Sequence, residues 1–357
     1  LFTPNLLVEG KLHYGFLYAQ HLELEVFNAH FPAFELVLQK QTYGRNKWER
    51  DYNYPLVGIS FFYSGVGNNP SLGSAYGLMP FINFPLVKNP VVAGGFRVGL
   101  GIGYITNPFH RILNYRNLAI GSHLNAAVNL MFELRVRINE LFTMTGGIGL
   151  QHFSNGSLKL PNYGINLPLI NVGLAYRPFR ENRSITNRFI APTEEYSAIV
   201  RKYLDIQFGG FIGYKDMSAV YGKKYVVYHF YSNGLARVSA KSMFGIGFDI
   251  SYDPSHLTTL EMHGTPVQNK LSILRPGING AYHLTMGQLG IMTNLGCYLG
   301  GKEKSNGPLY EKLAVQYNIT PELFASVMLK VHWGRADYIG WGLGYKFKVR
   351  YGKRTVR

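Results

Sequence analysis

The stretch Gly121–Ile138, GSHLNAAVNLMFELRVRI, decides the fold. Successive side chains on a β-strand point to opposite faces. From Leu124 the even positions are Leu124, Ala126, Val128, Leu130, Phe132, Leu134, Val136 and Ile138, all apolar. The odd positions include His123, Asn125, Asn129, Glu133, Arg135 and Arg137. One face is apolar and the other strongly polar.

The same alternation recurs along the chain. In the C-terminal run Ile339, Trp341, Leu343, Tyr345, Phe347 and Val349 alternate with Tyr338, three glycines, Lys346 and Lys348. In MFGIGFDISY, Phe244, Ile246, Phe248, Ile250 and Tyr252 alternate with Gly245, Gly247, Asp249 and Ser251. Leu204–Tyr214 and Leu323–Trp333 behave alike, with Phe211 and Phe324 breaking the pattern.

A soluble sandwich also alternates, with its apolar face inside. Three features favour a transmembrane barrel instead. Many segments are long enough to cross a bilayer at a tilt. Aromatic residues gather at the ends of the apolar faces, as in interfacial girdles. The polar faces carry Gly, Asn, Lys and Arg, which suits a polar lumen. The expected class is therefore all-β, a transmembrane antiparallel β-barrel of about 14–16 strands.

Candidate strands fall near 7–18, 34–42, 56–64, 76–86, 95–106, 121–136, 140–152, 168–178, 203–216, 224–238, 242–253, 273–285, 288–300, 310–319, 322–334 and 337–350. An even count puts both termini on the periplasmic side. Short turns at Asn139, 239–241, 286–287 and 320–322 then fall there, and longer connections at 19–33, 107–120 and 254–272 fall outside. Residues 179–202 would form a long periplasmic connection between two eight-strand halves, 1–178 and 203–357. The preferred reading is one barrel over 1–357, with two small barrels as the alternative.

Composition agrees with that class. The 357 residues include 41 Gly, 26 Tyr and 23 Phe, and only 16% are charged, against roughly 25% in soluble domains. A single cysteine, Cys297, excludes an internal disulfide framework. No apolar run is long enough for a transmembrane helix. The opening LFTPNLLVEG lacks the basic and apolar regions of a secretory signal, so any such signal is expected to have been removed. The net charge of +16 is dispersed and accompanied by no nucleic-acid motif, which favours an anionic lipid surface over nucleic acid.

Chemistry concentrates at Gly149–Ile170, GLQHFSNGSLKLPNYGINLPLI. Parity puts His152 and Ser154 on the face that carries Phe142, Met144, Ile148 and Leu150. The face of Ile170, Val172, Leu174 and Tyr176, carried backwards, contains Asn166. All three side chains then project to the lipid side from neighbouring strands, at the outer leaflet. A serine hydroxyl is a weak nucleophile until a base takes its proton. Histidine is the usual base near neutral pH. A third group fixes its tautomer, a role Asn fills in some Cys-based triads. Asn155 and Asn162 are candidate donors to a tetrahedral oxyanion.

HFSNGSLKLPNYGIN resembles the signature of the PagL-type lipid A deacylases, also called acyloxyacyl hydrolases, in the longer form found in Bacteroidetes-like bacteria. LGIGYIT and AIGSHLNAAVNL add to the likeness, which covers roughly residues 50–178. That resemblance implies a bacterial outer-membrane barrel that cleaves an ester-linked 3-hydroxyacyl chain from lipid A. His152, Phe153, Ser154 and Asn155 match the family's His–any–Ser–Asn signature, and Asn162 matches its oxyanion-assisting Asn. The small members of the family carry a Glu where this chain has Asn166. Three readings follow. Asn166 orients His152, the acid comes from elsewhere, or the site is silent.

Bland readings take the remaining motifs. His229 and Ser232 in HFYSNG are three apart, on opposite faces of a strand. GLGIGY at Gly99–Tyr104 is followed by no helix pattern and reads as a strand. His256 and His263 share an outer loop with Asp253 and Glu261, read as solvated rather than metal-binding. His123, Glu133, Arg135 and Arg137 are expected to form a lumen network. The leading expectation is an outer-membrane lipid A ester hydrolase with no cofactor or metal. It uses Ser154, His152 and Asn166, with Asn155 and Asn162 at the oxyanion and lipopolysaccharide as partner. The alternatives are a catalytically silent subunit or scaffold of an outer-membrane complex, with protein partners there, and a porin-like channel.

Overall fold

The computed structural model describes residues 6–178 and 203–350, apart from 68, 90, 219–221 and 266. The sixteen expected strands form. They are β1 (Leu6–Phe16), β2 (His30–Gln41), β3 (Leu56–Ser64), β4 (Ala75–Lys88), β5 (Val92–Ile105), β6 (Leu124–Arg137), β7 (Phe142–Ser154) and β8 (Ile165–Tyr176). The second set is β9 (Tyr203–Asp216), β10 (Lys224–Arg237), β11 (Ser242–Tyr252), β12 (Arg275–Met286), β13 (Leu289–Tyr298), β14 (Leu309–Asn318), β15 (Leu323–His332) and β16 (Arg335–Arg350).

They close as two antiparallel rings of eight, not as one ring. β1 pairs with β8, with Val8 opposite Tyr176 and Gly15 opposite Leu169. β9 pairs with β16, with Ile206 opposite Phe347 and Tyr214 opposite Ile339. The single-barrel reading is thus corrected to its alternative. Closure satisfies the edge hydrogen bonds of each set on its own, which apolar surroundings demand. Residues 179–202, read as a long connection, lie outside the described residues.

In each ring the apolar sides face out. Phe132, Leu134, Ile148 and Ile170 of the first ring and Phe244, Ile246, Trp341 and Leu343 of the second are exposed. Asn125, Asn129, Glu133, Asp249 and Ser251, between them in sequence, are buried. An eight-strand ring leaves an interior that side chains just fill. That explains the two breaks in the pattern. Phe211 and Phe324 point inward and pack with Tyr231, Met328 and Tyr338 in the lumen of the second ring.

The first ring's lumen has two layers. Toward the short-turn end, Arg97 pairs with Glu35 and lies 3.5 Å from Glu133, which also meets Lys11 and Asn83. Of the expected network, Glu133 and Arg135 join this layer, while Arg137 turns to the Asn139 carbonyl and His123 to that of Ile105. Toward the long-loop end, Leu24, Phe27, Phe62, Leu72, Ile105, Ile120, Phe153 and Leu167 form an apolar plug. Loops 17–29, 65–74, 106–123 and 155–164 share that end. At the other end, residues 42–55 are longer than a simple turn and hold a short helix, Lys47–Asp51. Glu49 organises it by accepting from the Gly44 and Arg45 amides.

Candidate active site

β7 and β8 place His152 directly opposite Asn166. His152 Nδ1 and Asn166 Oδ1 are 2.7 Å apart. An amide oxygen only accepts, so Nδ1 carries the proton and the lone pair sits on Nε2. Ser154, the last residue of β7, opposes Ala126 and shares the face of His152 two residues along. Among the described residues no hydrogen bond joins Ser154 to His152; such bonds often tighten only when substrate is bound.

Asn166 is only 4% exposed, and its Nδ2 is buried without a partner. The β1–β2 loop braces it, with the Tyr18 amide donating to the Asn166 carbonyl at 2.9 Å. The same loop stacks His21 on Tyr163 at 4.0 Å between ring centroids.

The two oxyanion candidates separate. Asn155 is buried, and its Nδ2 donates to Ser122 Oγ and to the Lys159 carbonyl, each at 2.8 Å. Its side chain therefore anchors the loop, with both Nδ2 protons engaged there. Position 155 has the parity of the lumen-facing Phe153, so the strand direction turns it inward. Asn162 Oδ1 accepts from the Asn155 amide at 2.9 Å, on the peptide that follows Ser154. With Oδ1 engaged there, both protons of Asn162 Nδ2 stay available to an acceptor.

Gly164 was not singled out by the sequence reading. Its φ is +85°, and a Cβ there would lie 2.9 Å from His152 Cε1. The only cue was the Gly within PNYGIN, two residues before Asn166. Ser122 was also missed, because nothing local marks it as the partner of Asn155.

Elsewhere, the structure buries His229 against Asp249 and Tyr338 in the second lumen, apart from Ser232. His256 and Asp253 are buried rather than solvated. His256 Nε2 lies 3.4 Å from Asp253 and 3.6 Å from Glu303, while His263 is exposed.

The sequence pattern of the family described as lipid A 3-O-deacylase (PagL) matches residues 33–177, and that described as acyloxyacyl hydrolase, C-terminal domain, matches 203–349. The chain belongs to the PagL family. The first PagL match ends one residue past β8 and holds the whole candidate site, and the second runs over β9–β16. Membership makes the chain an outer-membrane β-barrel hydrolase of the lipid A deacylase class.

Several solved structures resemble parts of it. Neisserial surface protein A is 7% identical with a TM-score of 0.35, over 48% of this chain and 96% of that one. The outer-membrane enzyme PagL is 15% identical with a TM-score of 0.32, over 46% and 97%. An outer-membrane channel from Pseudomonas putida F1 is 8% identical with a TM-score of 0.20, over 98% and 97%. No individual curated protein matches the chain.

Proposed function

We propose that this chain is a lipid A 3-O-deacylase that works through Ser154, His152, Asn166 and Asn162. The observation that carries the reading is the 2.7 Å bond between His152 Nδ1 and Asn166 Oδ1. It holds the base in the tautomer whose Nε2 can take a proton, on the face that also carries Ser154.

Ser154 Oγ attacks the ester carbonyl as its proton passes to His152 Nε2. The developing oxyanion takes hydrogen bonds from Asn162 Nδ2, held in place by the Asn155 amide. Collapse releases the sugar hydroxyl, which receives the proton from His152. Water then attacks the acyl-serine with His152 again as base. The products are a free fatty acid and a 3-O-deacylated glycolipid. Asn166 supplies orientation without charge, so the neutral site stabilises imidazolium less than a carboxylate would.

The test incubates the folded barrel and its Ser154→Ala variant with native lipopolysaccharide and weighs the lipid A by mass spectrometry. Loss of one acyl chain with the parent alone supports the reading. Intact lipid A in both samples, with folding shown by heat-modifiable gel mobility, refutes it and favours a silent barrel.

A further inference from the structure

The β5–β6 loop, residues 106–123, carries a turn with an unusual surface. Ile112 is 79% and Leu113 85% exposed at its tip, and Tyr115 beside them is also exposed. Arg111 and Arg116 flank the tip, both exposed. Residues 106–123 contain no Asp or Glu. Among the described residues neither guanidinium makes an ion pair, and Arg116 lies only against the Tyr115 ring, 5.8 Å from its centroid.

This tip is rigidly built. His110 and Asn114 bond to each other in both directions, at 3.2 and 3.0 Å. His110 Nδ1 accepts from the Ile112 and Leu113 amides, at 3.3 and 3.1 Å. Asn114 Nδ2 is held by the carbonyls of Ser71, Asn107 and Pro108. A backbone must satisfy its polar groups internally before it can enter an apolar medium. The amides of the two exposed aliphatics already are.

The turn is also tied to the candidate site. The Ala119 carbonyl accepts from the Gly164 amide at 2.8 Å, and that of Leu118 from the Tyr163 amide at 3.4 Å. Ser122 Oγ holds Asn155. The loop that presents Ile112 and Leu113 is therefore hydrogen-bonded to the segment that places Asn162 and Gly164.

We propose that the 110–116 turn recognises the substrate. Ile112 and Leu113 enter the acyl layer of the outer leaflet, and Arg111 and Arg116 bind a phosphate on the glycolipid whose ester reaches Ser154. Guanidinium suits phosphate because its planar fork can donate two parallel hydrogen bonds. An acid-free loop with two arginines around an apolar tip fits a phosphorylated lipid held in a membrane, and not a free sugar phosphate. The proposal rests on the deacylase reading above for its reaction, but not for its binding step.

Two measurements separate them. In the first, the parent and an Arg111→Gln/Arg116→Gln variant are assayed on phosphorylated lipid A and on the same lipid A stripped of phosphate, in mixed micelles. The parent is expected to show a KM about ten- to thirty-fold lower for the phosphorylated lipid, and the variant to lose that preference. In the second, binding of both lipids is measured on Ser154→Ala protein with and without the two arginine changes. Phosphate-dependent binding that needs the arginines supports the proposal even where the parent shows no turnover, in which case only the serine reading fails. Equal binding of both lipids, or a preference that survives loss of both arginines, overturns it. An Ile112→Ser/Leu113→Ser variant is expected to lose affinity for both lipids about equally; unchanged affinity would overturn the membrane contact.

Discussion

Replacing Gly164 by alanine tests whether the position of the His152 ring matters. The new Cβ would lie 2.9 Å from His152 Cε1, where carbon atoms ordinarily rest about 3.5–4.0 Å apart. The ring must move by at least ~0.6 Å, since the added carbon is fixed to backbone. A catalytic group misplaced by ~1 Å can cost ~100-fold. The expected fall in kcat/KM is therefore ~10- to 100-fold, or about 1.4–2.7 kcal/mol of barrier. The φ of +85° adds strain of ~1–2 kcal/mol to the folded state. Gly264→Ala supplies the control, because Gly264 has a φ of +69° and nothing within 4 Å of the added carbon. Both variants should lose similar stability in urea unfolding from liposomes, and only Gly164→Ala should lose deacylation of lipopolysaccharide. Full activity in folded Gly164→Ala protein would refute the role given to His152.

Asn166→Asp replaces an amide by a group that only accepts, which removes the unpartnered Nδ2 and locks the Nδ1–H tautomer. Its charge should strengthen the bond to imidazolium by ~1 kcal/mol and raise kcat by ~5- to 10-fold; a fall in steady-state rate would count against orientation by Asn166. Arg97→Met leaves Glu35 inside the first ring with only His13 beside it and should cost ~3–5 kcal/mol in urea unfolding. Much of that loss should return in Arg97→Met/Glu35→Met, and a double variant no better than the single would dismiss the account. In the loop between β11 and β12, burial holds the His256 imidazole below the ordinary value of 6.5, with help from the nearby Lys215 cation and against the opposing pull of Asp253, Asp337 and Glu303. The unfolded loop then takes up the proton first, so stability is full above that value and falls as pH drops through it. Hydrogen exchange over Ser255–Met262, corrected for its intrinsic rate, should speed up from pH 7.5 to 5.5, and the same protection at both would contradict this.

The strands were legible because each carries its membrane side in every second residue. β3 and β9 begin and end at the expected bounds, 56–64 and 203–216. Ring closure was not legible, because alternation says which way a residue points and not which strand closes on which. The clue lay in what looked like errors. Phe211 and Phe324 are large residues facing inward, and a wide ring would leave them in water. The site was legible to the extent that parity reaches. It put His152, Ser154 and Asn166 on one face, and the same parity turns Asn155 inward. Gly164 and Ser122 act through contacts across the loops, which no local pattern encodes.

The division into two small rings has a consequence for the envelope that holds this chain. A ring of sixteen strands encloses an aqueous bore, whereas each ring of eight here is filled by its own side chains. One is closed by the Arg97 ion network under an apolar plug, the other by aromatic residues around Asp249 and Lys312. Inserting either ring into a membrane then adds no open bore for small solutes through its described residues.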